Sequence, residues 1–135
     1  MSFSNAAENE ILNYVFKGTN TTWDGDTNLY LALHTADPGE AGSATSSECA
    51  YGSYARVTMT RSSDWTISGN QVANANLEQF PQCSSGTETI THVSIVNTST
   101  GAGLSICRAE LNTPIPISTG IQPQFAAGAL TFTLD

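Results

Sequence analysis

The run Leu29-Tyr-Leu-Ala-Leu-His34 places Leu29, Leu31 and Leu33 in alternation with Tyr30, Ala32 and His34, and then meets Asp37-Pro-Gly39. A period of two is the pattern of a strand with one apolar face. Proline presets φ and glycine supplies a positive φ, so the strand ends in a turn. The same grammar recurs along the chain. Tyr54 to Thr60, Trp65 to Ile67, Gln71 to Val72, Asn76 to Phe80, Thr89 to Asn97, Leu104 to Leu111 and Phe125 to Leu134 read as further short strands. Ser68-Gly-Asn70 suits a hairpin turn between two of them. Pro114-Ile-Pro-Ile117 reads as an edge strand or an extended arm, because neither proline can donate to a ladder. About eight short strands with turn signals between them predict an antiparallel sandwich or barrel, jelly-roll-like, rather than a βαβ fold.

One helix is predicted, at the start. Ser4 or Asn5 caps it and Glu8 and Glu10 lie where the helix dipole favours anions. Ala7, Ile11, Leu12, Val15 and Phe16 recur at helical spacing, Lys17 falls in the last turn and Gly18 ends it. So short a helix is marginal alone, and its apolar face must dock on something. The expected organisation is a single mainly β domain over residues 1–135, with the helix in 1–18 and the sandwich or barrel in 19–135. No repeat or dividing linker is visible.

Charge narrows the partners. Charged residues make up 12% of the chain, against roughly 25% in an average soluble domain. The net charge is −8, and the cations are Lys17, Arg56, Arg61 and Arg108. Four scattered cations build no basic patch, which argues against nucleic acid and against an anionic membrane surface. No segment has the length and apolarity of a membrane-spanning helix. The first residues lack the cationic start and apolar run of a secretory signal. The two glycosylation-type triplets, Asn20-Thr-Thr22 and Asn97-Thr-Ser99, therefore carry little weight.

Catalytic patterns are missing. There is no nucleophile elbow, Walker loop or dinucleotide fingerprint. Asp64, Glu78, Glu88 and Glu110 are available carboxylates, but no two stand out as a glycosidase pair. Asp24-Gly-Asp-Thr-Asn28 opens like a calcium loop, yet Leu29 and Thr35 stand where its glycine and closing acid belong. His34 and His92 read as strand residues. Cys49, Cys83 and Cys107 form no C-x-x-C pair; three reduced thiols are expected, with Cys83, after Pro81 in a loop-like stretch, the most accessible. Trp23, Tyr51, Tyr54 and Trp65 are the aromatics for a sugar-binding face, with core or subunit contact as the commoner use of such residues. No enzyme, cofactor or metal is predicted.

The order of motifs adds a resemblance. Ala6-x-Glu-Asn-x-Ile-Leu-Asn-Tyr-Val-Phe16 is followed by Leu29-Tyr-Leu-Ala-Leu-His-Thr-Ala-Asp-Pro-Gly-Glu-Ala-Gly42. Then come Tyr51-Gly-Ser-Tyr-Ala-Arg56, Ile90-Thr-His-Val93, Thr100-Gly-Ala-Gly103 and Phe125-Ala-Ala-Gly-Ala-Leu-Thr-Phe-Thr-Leu-Asp135. This series resembles a family of small tailed-bacteriophage virion proteins, labelled tail fibre, minor structural or capsid cement proteins. The three cysteines are not part of that pattern. The resemblance implies a structural role. With no repetitive shaft in the chain, it implies first a capsid cement or decoration protein, assembled in the host cytoplasm and displayed on the capsid exterior. Its partner would be the major capsid protein, and it would form a trimer or dimer. Expected contact residues are Phe3, Ile11, Val15, Pro38, Tyr51, Tyr54, Pro114 and Pro116, on the helix, the Asp37–Tyr54 loop and the Pro114–Pro123 arm. The alternative is a tail-fibre or tail-tip protein that binds a host glycan through Trp23 and Trp65.

Overall fold

A computed structural model of the chain describes residues 2–134. The elements are β1 (Ser2–Phe3), α1 (Asn5–Lys17), β2 (Asn28–His34), β3 (Val57–Thr60), β4 (Trp65–Ser68), β5 (Gln71–Asn74), β6 (Glu78–Gln79), β7 (Glu88–Val96), β8 (Ser105–Ile117), β9 (Gln124–Phe125) and β10 (Thr131–Thr133). The fold is mainly β with one short N-terminal helix, as predicted. A five-stranded antiparallel sheet, β1-β8-β7-β2-β3, shares one core with a three-stranded sheet, β10-β5-β4, and β6 pairs with β9. β1 precedes the helix and lacks any signal in the sequence: two residues are too few to show a period.

Both ends of α1 follow from its capping residues. Ser4 Oγ accepts from the Ala7 amide at 3.2 Å and donates to the Ser105 carbonyl at 2.6 Å, so one hydroxyl caps the helix and pins it to β8. Gly18 closes it in the left-handed region at φ 66°, with its amide donating to the Tyr14 carbonyl and the Thr19 amide to that of Asn13. The predicted docking of the apolar face is only partly made. Ala7 is the one buried helical residue, whereas Leu12, Val15 and Phe16 stand in solvent, Phe16 at 79% exposure. The helix is anchored by its first turn and by Glu10, whose carboxylate accepts from the Thr22 amide and hydroxyl, while Leu12, Val15 and Phe16 are left uncovered.

In β2, Leu31 to His34 are all buried. A strand with one apolar face does not do this; a strand covered on both faces does. Leu31 and Leu33 enter the main core with Val93 and Ile95 of β7. On the other face Ala32 and Val96 pack with Ala44, from the long segment between β2 and β3. That segment is tied down at several points: the Thr35 amide donates to Ser47, the Cys49 amide to Leu33 and the Ser105 amide to Gly42. Gly42 lies at φ 79°, and a Cβ there would meet Leu104 and the Ser4 hydroxyl at 3.0 Å, so a bare backbone is needed where the segment crosses the helix cap.

Pro114 to Ile117 is an edge strand, one of the two forms its prolines allow, and not a detached arm. β8 runs unbroken through it, with Ile115, Pro116 and Ile117 opposite Ile90, Thr89 and Glu88. The two prolines are two residues apart, so their donorless nitrogens face the same edge. β1 covers β8 only at Cys107 and Arg108, so that edge is open at the prolines among the described residues. The hairpin β4–β5 turns at Gly69-Asn70, as its sequence predicts. Leu130 and Phe132 of the C-terminal segment are buried, while Leu134 is exposed.

Candidate functional site

The sequence-predicted residues separate by depth. Tyr51 is 3% exposed and Tyr54 half-buried, and both lie in the aromatic core with Phe80 and Phe125. The Tyr51 hydroxyl donates to the Pro81 carbonyl at 2.9 Å. The Tyr54 hydroxyl donates to Glu48 at 3.0 Å and accepts from the Leu33 amide at 3.0 Å. Burial pushes the Tyr51 phenol up to about 12 and Tyr54 higher still. Pro38 is buried, and Phe3 is half-buried against the core, paired with Cys107. Val15, Pro114 and Pro116 are at the surface.

The two tryptophans, 42 positions apart in the chain (65 − 23), line two depressions that have one side chain in common, Arg61. Trp65 lines a depression of about 220 Å³ with Leu29, Ile67, Val72 and Phe132, at the mouth between the two sheets. Its ring meets Phe132 edge-on at 6.0 Å. Trp23 lines a second depression of about 240 Å³ with Ile11, Tyr14, Thr21 and Asp24, under the helix. Arg61 belongs to the walls of both. Its Nη1 donates to the carbonyls of Trp23 at 2.8 Å and Asp26 at 2.9 Å, which fixes the guanidinium on the 23–26 turn. Ile11 and Trp23, expected as contact and glycan residues respectively, thus share one depression. Arg61 was missed in sequence because an isolated arginine carries no local signal.

The other arginines are neutralised by carboxylates. Arg56 pairs side-on with Glu48, at 2.6 and 2.8 Å, and donates to Thr98 and Gly101. Arg108 reaches Asp37 at 2.7 Å and also Glu40. The Gly39 amide, then Arg108, hold the Asp37 carboxyl below its ordinary range. A larger groove, about 420 Å³, lies between β8 and the 125–131 segment, and Glu110 is the one charged residue lining it.

The two histidines are register partners across β2 and β7. Both nitrogens of His34 are engaged: Nδ1 lies 2.8 Å from the Ser46 carbonyl and Nε2 2.7 Å from the Ser94 hydroxyl. A carbonyl only accepts, so Nδ1 carries the proton and Nε2 accepts from Ser94. Burial holds the ring's pKa below its ordinary value. In the calcium-like stretch the Asp26 carbonyl is already a partner of Arg61. Among the described residues no three His, Cys, Asp or Glu gather as metal ligands. Cys83 is 1% exposed, not an accessible thiol. Its amide pairs with Ile121 and its sulfur faces the Ser85 carbonyl, so the loop containing it folds inward against the 118–121 turn. Burial pushes the thiols of Cys49 and Cys107 up to about 12. Among the described residues no helix is long and apolar enough to cross a membrane.

A sequence model of a protein family described as Podophage GP4 fiber I protein gp80 matches residues 2–133. No curated protein matches the chain. The family's description names a fibre, which fits the tail-fibre reading of the sequence better than the capsid-cement one.

Proposed function

Because the chain belongs to the podophage GP4 fibre I protein gp80 family, we propose that it is a non-enzymatic structural subunit of the tail fibre, with its host-facing glycan contact on the Trp23–Arg61–Trp65 surface. The family match across residues 2–133 carries the reading. The surface supports it by offering two indoles around a fixed cation on an otherwise acidic domain. Copies of the chain associate as a trimer or dimer. Leu12, Val15 and Phe16 on the exposed side of α1 are the contacts, since apolar side chains so exposed gain most from burial. Weak single-site sugar binding then sums to avidity across copies.

Gold-labelled antibody against the chain, viewed on intact particles by electron microscopy, tests the placement. A few labels confined to the tail are expected. Hundreds of copies spread over the shell would overturn the tail-fibre reading in favour of a cement protein on the major capsid protein.

A further inference from the structure

We propose that the Arg61 surface selects an anionic saccharide, one whose sugar ring carries a carboxylate. The inference rests on the fibre reading above and names the class of glycan. Among the described residues Arg61 is the one arginine without a carboxylate within ion-pair distance, since Arg56 and Arg108 are taken by Glu48, Asp37 and Glu40. Its Nη1 is held by two backbone carbonyls, whereas Nε and Nη2 have no partner among the described residues. A guanidinium fixed at one nitrogen, with further donors unused, is preorganised for a carboxylate.

The flanking surfaces fit rings. Each depression, at about 220 and 240 Å³, is smaller than the roughly 300–1,000 Å³ of a drug-sized site, a size suited to a single sugar residue. Flat indole faces take the apolar side of a sugar ring, and the polar groups at the rim take its hydroxyls. Two consecutive residues of a polysaccharide can straddle Arg61, one against Trp23 and one against Trp65. The net charge of −8 repels anions elsewhere on the domain, and Asp24, which lines the Trp23 depression itself, disfavours a carboxylate there except on its Arg61 side. An anionic chain is therefore held only in the register that puts its carboxylate on Arg61.

The chain has two tryptophans, both at this surface, so indole fluorescence reads the site directly. The full chain is titrated with trigalacturonate and, separately, with its neutral methyl ester. Trigalacturonate should change the emission and bind at least about tenfold tighter than the ester. Arg61→Gln should remove that preference and Arg61→Lys should keep part of it. Equal affinity for acid and ester, or an unchanged preference in a folded Arg61→Gln protein, overturns the anion selectivity and leaves the fibre reading standing. A response to neither sugar overturns the saccharide site. Labelling of the shell by electron microscopy would instead overturn the fibre reading itself. Should Arg61→Gln fail to fold, the acid-against-ester comparison on the unaltered protein decides alone.

Discussion

Replacing Arg56 by methionine tests what holds the long segment between β2 and β3 against the sheet. The Arg56 and Glu48 side chains are 2% and 15% exposed. Arg56 makes five hydrogen bonds: two to the Glu48 carboxylate, two to Thr98 and one to the Gly101 carbonyl. It thereby joins the segment to the β7–β8 turn. Methionine matches much of its volume but none of its donors. The Gly101 carbonyl belongs to an exposed residue and can hydrate. Glu48, only 15% exposed, hydrates in part and otherwise keeps only the Tyr54 hydroxyl. A buried carboxylate that loses its cation costs about 3–5 kcal/mol, a large part of the roughly 5–15 kcal/mol that a domain has. For a chain of this size the melting temperature should fall by roughly 10–20 °C. Calorimetry, or circular dichroism on heating, measures it. Removing the stranded charge as well, in Arg56→Met with Glu48→Gln, should restore more than half of the loss. A loss below about 1 kcal/mol would mean that the pair behaves as a solvated surface bridge. A double variant as unstable as the sum of the singles would mean that the two residues act independently. Either result refutes the argument.

Other perturbations separate burial from assembly. His34 is held neutral by burial, with its pKa below the ordinary 6.5. Its contribution to stability is therefore present above that value and is lost as pH falls toward the lowered one. Urea midpoints should drop between about pH 7 and pH 5, and His34→Gln should flatten that slope. Burial, then Asp64, raises the Glu78 carboxyl, so its ionised form is disfavoured in the fold and its contribution fades as pH rises through the raised value. Glu78→Gln should accordingly raise the melting temperature at neutral pH, and a lower one would show an unrecognised partner for the carboxylate. Cys49, Cys83 and Cys107 are buried, so a thiol reagent should label them only as fast as the protein unfolds; rapid native labelling of Cys83 would contradict its packing. Phe16→Ser, at an exposed position, should change stability by less than about 0.5 kcal/mol yet shift the chain toward monomer in sedimentation velocity. An unchanged oligomer would remove α1 from the interface.

Local signals are legible in the sequence where one residue decides one event. Gly18 ends the helix and Ser4 starts it, because a cap is a contact between neighbours in sequence. The β4–β5 hairpin was legible for the same reason. The burial of Cys83 was not, and Pro114–Ile117 was legible as an edge strand but not as a continuation of β8. The thiol's burial depends on the 118–121 turn folding over it, and the proline stretch joins β8 because β7 happens to continue alongside it. Tyr51 and Tyr54 looked the same in sequence as Trp23 and Trp65. Depth divides them: the tyrosines enter the aromatic core, and the indoles line the mouth of the sandwich and the groove under the helix.

By itself the sequence determined the class of fold, the single leading helix and the lack of any catalytic signature, since periodicity, caps and motifs are properties of short stretches. Only the tertiary structure decided which strands are neighbours, that the 35–56 segment covers the second face of β2, and that Arg61 borders the depressions of two distant tryptophans. A period of two says that a strand has a buried face but not what buries it. Pairing across 42 positions is chosen by packing and loop closure, for which no short stretch of sequence carries a mark.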